Sequence, residues 1–179
     1  MAMSLKEIEN LMKQKKLNYF VHPERPVLIF TITGLFGTFQ ILVVLEREGE
    51  FLQFRTAEYL RCSSDSPHLK EVLKALASIN FRMRYAKFCW NPADGQIVVF
   101  ADTWLMDQKI SWKQFERMLD NYFPAIDLHF DRLKKIIETG QDPGEKRPGE
   151  LPKALDDLIK KLKEKKGKEP SEEKEKRYV

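Results

Sequence analysis

Between Pro26 and Leu45 the chain carries no charged side chain. That is about the length a membrane-spanning helix needs, so the run either crosses a bilayer or is buried within a fold. Its composition decides. Thr31, Thr33, Thr38 and Gln40 interrupt it, and Gly34-Leu35-Phe36-Gly37 sits at its middle. β-branched and aromatic residues fill both halves, as a pleated, half-buried surface requires, and a Gly-bounded turn between two such runs signals a hairpin. The expectation is a buried hairpin with strands over Val27–Thr33 and Thr38–Arg47, and no membrane span.

The flanking sequence extends this start. Ser4-Leu5-Lys6-Glu7 has the form of a capping box, and Leu5, Ile8, Leu11 and Met12 follow at helical spacing, which predicts a helix over 4–16. Residues 17–21 read as an extended segment. Glu48-Gly49 is a tight turn, and Glu50–Thr56 a third strand with Phe51 and Phe54 as its apolar positions. Ser66 and Pro67 suit the cap and first position of a helix over 67–79, in which Leu69, Val72, Leu73, Leu76 and Ile79 recur at intervals of three and four. Phe81–Trp90 reads as a strand whose apolar positions change parity between Tyr85 and Ala86, as at a bulge. Asn91-Pro92-Ala93-Asp94-Gly95 has turn chemistry, and Ile97–Trp104 reads as a central partner strand. A second capping box, Ser111-Trp112-Lys113-Gln114, opens a helix. Trp112, Phe115, Met118, Leu119 and Tyr122 stripe it, Pro124 should break or kink it, and Gly140 should end it.

Charge and cysteine content narrow the functional classes. The chain has 31 Lys and Arg against 27 Asp and Glu, a net +4. Residues 140–179 hold 12 of the basic and 10 of the acidic groups, so neither part has a field that would steer nucleic acid. Cys62 and Cys89 are too few for a four-thiolate zinc site or a disulfide framework. The N-terminus lacks the apolar core of a secretory signal, which fits a reducing cytoplasm. His22, His68 and His129 lie in different elements without a second ligand at metal-binding spacing. No base is announced beside either cysteine, Gly34–Gly37 lacks the Lys-Ser/Thr of a phosphate loop, and Asp102 reads as a turn or solvent carboxylate. No catalytic residue, cofactor site or metal site is expected.

Two features offer themselves for partner binding. If 81–90 is a strand, Arg82 and Arg84 share one face with aromatics interleaved, the arrangement of an RNA-binding sheet; a half-buried strand with a solvated basic face explains the same alternation. The second feature follows a linker over 140–150. Leu155, Leu158, Ile159 and Leu162 fall on one helical face, and the residues beyond Lys163 are mostly charged. The expectation for 151–179 is an amphipathic helix packing on protein rather than on a membrane surface, followed by a disordered charged tail.

The order helix, three strands, helix, two strands, long helix resembles the YbjN family of bacterial proteins, itself similar in fold to type III secretion chaperones. Leu69–Ile79, Phe81–Trp90, Asp94-Gly95, Ile97–Trp104 and the closing helix from Ser111 to about Leu133 carry the resemblance. The resemblance covers about residues 4–139, and the residues read as an α+β domain over 1–139, a five-stranded antiparallel sheet with its helices on one face. The resemblance implies a non-enzymatic homodimer that binds a protein client. The alternative is a nucleic-acid-binding regulator that uses the Arg82/Arg84 strand. An antiparallel sheet with so few helices leaves one face or edge for water or a partner.

Overall fold

In the computed structural model, which describes residues 2–106 and 108–144, every strand joins one antiparallel sheet. The order along the chain is α1 (Leu5–Gln14), β1 (Tyr19–Val21), β2 (Val27–Thr33), β3 (Thr38–Glu46), β4 (Phe51–Ala57), β5 (Leu60–Arg61), α2 (Leu69–Arg82), β6 (Lys87–Trp90), β7 (Gln96–Trp104) and α3 (Trp112–Thr139). Across the sheet the strands run β1-β2-β3-β4-β7-β5, with β6 on the other side of β7. There are seven strands rather than five. The two extra ones are short: β1 lies at the edge, and β5 continues β4 beyond a bend.

The uncharged run is the β2–β3 hairpin, paired from Val27↔Val44 to Thr33↔Thr38. Its turn is held from outside. The Asp127 carboxylate on α3 accepts from the backbone N–H groups of Leu35 and Phe36 at 2.8 and 2.9 Å. A Cβ at residue 34 would collide with that carboxylate, so the close approach requires Gly34.

The β4–β5 bend is a bulge in the ladder with β7. From Arg55 to Leu60 the chain takes five steps while β7 takes three, from Phe100 to Ile97. Side chains supply the bonds that the ladder loses there. The Val99 N–H donates to Thr56 Oγ1 at 2.9 Å, and the Tyr122 hydroxyl donates to the Val99 carbonyl at 2.7 Å. Glu58 takes φ 48° at the bend, and buried Tyr59 donates to the Ile126 carbonyl at 2.6 Å. The bulge thus ties the sheet to α3 at two points.

One side of the sheet is covered. Leu28, Phe30, Ile41, Val43, Leu52, Phe54, Val99 and Ala101 join Ile8 and Met12 of α1, Val72, Leu76 and Ile79 of α2, and Phe115, Leu119, Tyr122 and Ile126 of α3 in one core. Aromatic pairs mark the seam with α3: Phe54–Phe115 at 5.8 Å, Phe30–Phe123 at 5.7 Å and Phe39–Phe130 at 5.2 Å.

Three sequence expectations change here. The helix predicted over 67–79 spans Leu69–Arg82 and is preceded by His68 at the cap position, with the Ser66 hydroxyl taking the His68 N–H one turn earlier. Residues 81–90 are therefore not one strand with a bulge: Phe81 and Arg82 end α2, and only Lys87–Trp90 is extended. The spacing Val72, Leu76, Ile79, Met83 continues the helical interval through the residues whose alternation mimicked a strand. Finally, α3 runs unbroken through Pro124 to Gly140, where φ is 73°. Pro124 is exposed while Tyr122, Ala125 and Ile126 are buried, so core packing on both sides outweighs the lost helix bond of about 3 kcal/mol.

Candidate interaction surfaces

The uncovered side of the sheet is not the polar surface that a solvated antiparallel face normally shows. Its cross-strand row reads Phe20, Ile29, Leu42, Arg55, Phe100, Lys87, and the next rows add Val27 and Val44, then Phe51 and Trp104. Phe20 is 60% and Trp104 57% exposed, and Phe51 lies against Trp104 with ring centroids 4.9 Å apart. The Arg55 guanidinium sits over the Phe100 ring at 5.5 Å. Asp102 projects from the same face, opposite Gln53.

The edge at β6 is closed. Asn80 of α2 accepts from the Phe88 N–H at 2.8 Å and donates to the Phe88 carbonyl at 2.9 Å, as a neighbouring strand would. Because Phe88 turns its main-chain groups to Asn80, the bonds from β6 to β7 come from the residues beside it, Lys87 and Cys89, to Phe100 and Val98. Beyond Phe100, β7 continues without β6. The Leu105 N–H bonds the Glu50 carbonyl of the β4 side at 2.7 Å, so alternation turns the main-chain groups of Asp102 and Trp104 away from β4, to the open edge.

Alongside that edge lies a cleft of about 650 Å³. Arg84 and Tyr85 wall it after α2, Trp104 and Leu105 at the end of β7, Lys109 and Ile110 in the following loop, and Arg117 and Met118 on α3. Among the described residues no Asp or Glu lines it. Lys109 is paired with Glu7, whose carboxyl that lysine and the Ser4 N–H hold down at about 2. The Tyr85 hydroxyl is buried without a hydrogen-bond partner, and burial, then the charge of Asp102, raises its pKa.

The two arginines singled out from the sequence are not neighbours on a strand face. Arg82 folds back on α2, donating to the Ser78 hydroxyl at 2.8 Å. Arg84 lies in the turn before β6, on the cleft. Leu155, Leu158, Ile159 and Leu162 lie outside the described residues. The sequence reading gave Trp104 and Met118 only as strand and helix-stripe residues and did not single out Arg117. The signal that could have found them is the mismatch between a four-residue β6 and a nine-residue β7, and reading 81–90 as a strand hid it.

Groups of catalytic type are engaged structurally. Cys62 is buried, and the exposed Cys89 has its pKa raised by partial burial and by Asp102, which disfavours the reactive thiolate. His22 Nδ1 accepts from the Glu24 N–H, His68 packs at Gly140, and His129 meets the Phe88 ring edge-on at 5.4 Å. Among the described residues no cluster of His, Cys, Asp and Glu could hold a metal ion, and no helix is long and apolar enough to cross a membrane.

Three solved structures align with this chain. The crystal structure of YbjN, a putative transcription regulator from E. coli, aligns with a TM-score of 0.55 at 15% identity, over 78% of this chain and 93% of that one. The HopA1–SchA chaperone–effector complex aligns at 0.47 and 8% identity, over 68% and 90%. The ExoU–SpcU heterodimer from the type III secretion system of Pseudomonas aeruginosa aligns at 0.47 and 18% identity, over 73% and 98%. No curated protein sequence matches the chain. The sequence pattern of the YbjN family, described as a putative bacterial sensory transduction regulator, matches residues 4–135, from the first helix through most of the last, and the chain belongs to that family.

Proposed function

We propose that this protein is a non-enzymatic, cytoplasmic regulatory module that works by binding protein, as a homodimer and through a client. The observation that carries this reading is the uncovered sheet face. A patch of large apolar side chains on that face, Ile29, Leu42, Phe51, Phe100 and Trp104, is what a protein interface requires and what a solvated surface avoids. Arg55 and Lys87 lie on that face with Asp102, so two copies related by a two-fold axis can set base against acid around an apolar centre. The family's description as a sensory transduction regulator agrees with a binding role. The nucleic-acid alternative loses the strand face that was to grip the strand, because Arg82 ends a helix.

Light scattering on the full chain tests this. The wild type is expected to be a dimer, and Leu42→Glu, which puts a charge at the centre of the face, a monomer with unchanged circular dichroism. A monomeric wild type overturns the homodimer. A dimer lost in Leu155→Asp/Leu158→Asp but kept in Leu42→Glu moves the interface to the C-terminal stripe of Leu155, Leu158, Ile159 and Leu162.

A further inference from the structure

We infer that the cleft between the free edge of β7 and α3 takes an extended acidic peptide segment as an added strand. The inference rests on the protein-binding reading and names the chemistry of the client.

The edge supplies the backbone half of the recognition. Asp102 and Trp104 present N–H and C=O groups on the side that β6 leaves vacant, at the two-residue interval of a strand ladder. Asn80 occupies the corresponding groups of β6 at Phe88. Strand addition on this side of the sheet is therefore directed to the last turnless stretch of β7. The cleft volume falls within the range of about 300–1,000 Å³ typical of ligand sites.

Charge supplies the selectivity. Arg84 and Arg117 line the cleft, and among the described residues neither has an ion-pair partner and no Asp or Glu lines it. An acidic side chain entering there meets two guanidinium groups capable of bidentate bonds. Trp104, more than half exposed, offers apolar surface to the alternate side chains of a strand. The buried Tyr85 hydroxyl at the cleft wall has a donor to spare. The guest these features fit alternates acidic and apolar residues.

The test is fluorescence anisotropy with the full chain and a labelled eight-residue peptide of alternating glutamate and valine. Binding is expected, weakening as salt rises. The same peptide with lysine for glutamate is expected not to bind. N-methylation of every second peptide bond, which removes ladder donors and leaves the charges, should abolish binding in the register that faces β7. Arg84→Glu/Arg117→Glu should weaken the acidic peptide about tenfold or more. The same variant should begin to bind the lysine peptide, a gain that misfolding cannot produce. Equal affinity for both peptides, indifference to N-methylation in either register, or no binding of the acidic peptide overturns the inference. A single-stranded oligouridylate that displaces the peptide and binds more tightly also overturns it, in favour of a nucleic acid at Arg84 and Arg117. A wild type that dimerises through the sheet face but ignores the peptide defeats this assignment and leaves the protein-binding reading standing.

Discussion

Phe51 and Phe54 stand three residues apart on β4 and have opposite fates. Phe54 is fully buried, with Phe115 at 5.8 Å and Tyr122 at 5.9 Å. Phe51 points to the other side and touches Trp104 on the open face. The same holds along β2 and β3, where Leu28 and Val43 are wholly buried while Ile29 and Leu42, equally apolar, are only half covered. Both faces of this sheet carry large apolar residues, yet the fold covers one. The open face differs in setting its apolar residues among Gln53, Arg55, Lys87 and Asp102, and in having no helix packed on it.

The comparison breaks most visibly at β4. Phe54→Ala opens a cavity in the core and should cost about 3–5 kcal/mol of unfolding free energy. Phe51→Ala removes an aromatic pair worth about 0.5–1.5 kcal/mol and should leave the monomer fold intact. Urea unfolding of the two variants at low protein concentration measures the contrast. Similar losses would mean that the open face is as buried as the covered one.

A smaller effect sharpens the contrast between closed and open edges. Asn80→Ala leaves the part-buried Phe88 N–H and carbonyl without their partner, and each lost bond should cost about 0.5–1.5 kcal/mol. Faster amide exchange at Phe88 than in the wild type would report the opening, and exchange unchanged there would show that Asn80 does not close this edge.

The smallest expected effect lies where α1 meets the loop after β7. The folded protein holds Glu7 near 2, against an ordinary value of 4.5, through Lys109 first and the Ser4 N–H second. A lowered carboxylate stabilises the fold fully above its unfolded value and loses that contribution as the pH falls towards 2. Glu7→Gln keeps a capping side chain and removes the charge. Its deficit against the wild type should be steady at neutral pH and close between about pH 4.5 and 2. A deficit independent of pH would assign it to the cap rather than to Lys109.

Much of the fold was legible in local chemistry. The capping boxes at Ser4 and Ser111 are both formed, and Gly140 ends α3 in the left-handed conformation. The hairpin strands start and stop within a residue of where β-branched runs and glycines put them. These signals act over three or four residues, so neighbouring sequence suffices. Residues 81–84 failed because Phe81, Met83 and Tyr85 satisfy a strand period while Val72, Leu76, Ile79 and Met83 satisfy a helix period. Asn80 and the Arg82–Ser78 contacts, which favour the helix, need the neighbouring β6 and the helix itself to exist.

From its residues alone the chain specified two-sided apolar strands, capped helices and a Gly-turn hairpin, because period, capping and turn chemistry are properties of neighbours. Which sheet face α3 covers, that Asp127 reaches the Leu35–Phe36 turn 91 residues away, and that β6 stops short of Asp102 were decided only by tertiary structure. Those outcomes depend on one element excluding another from the same space. The open face, on which the proposed function rests, and the free edge, on which the peptide assignment rests, are what that exclusion left uncovered.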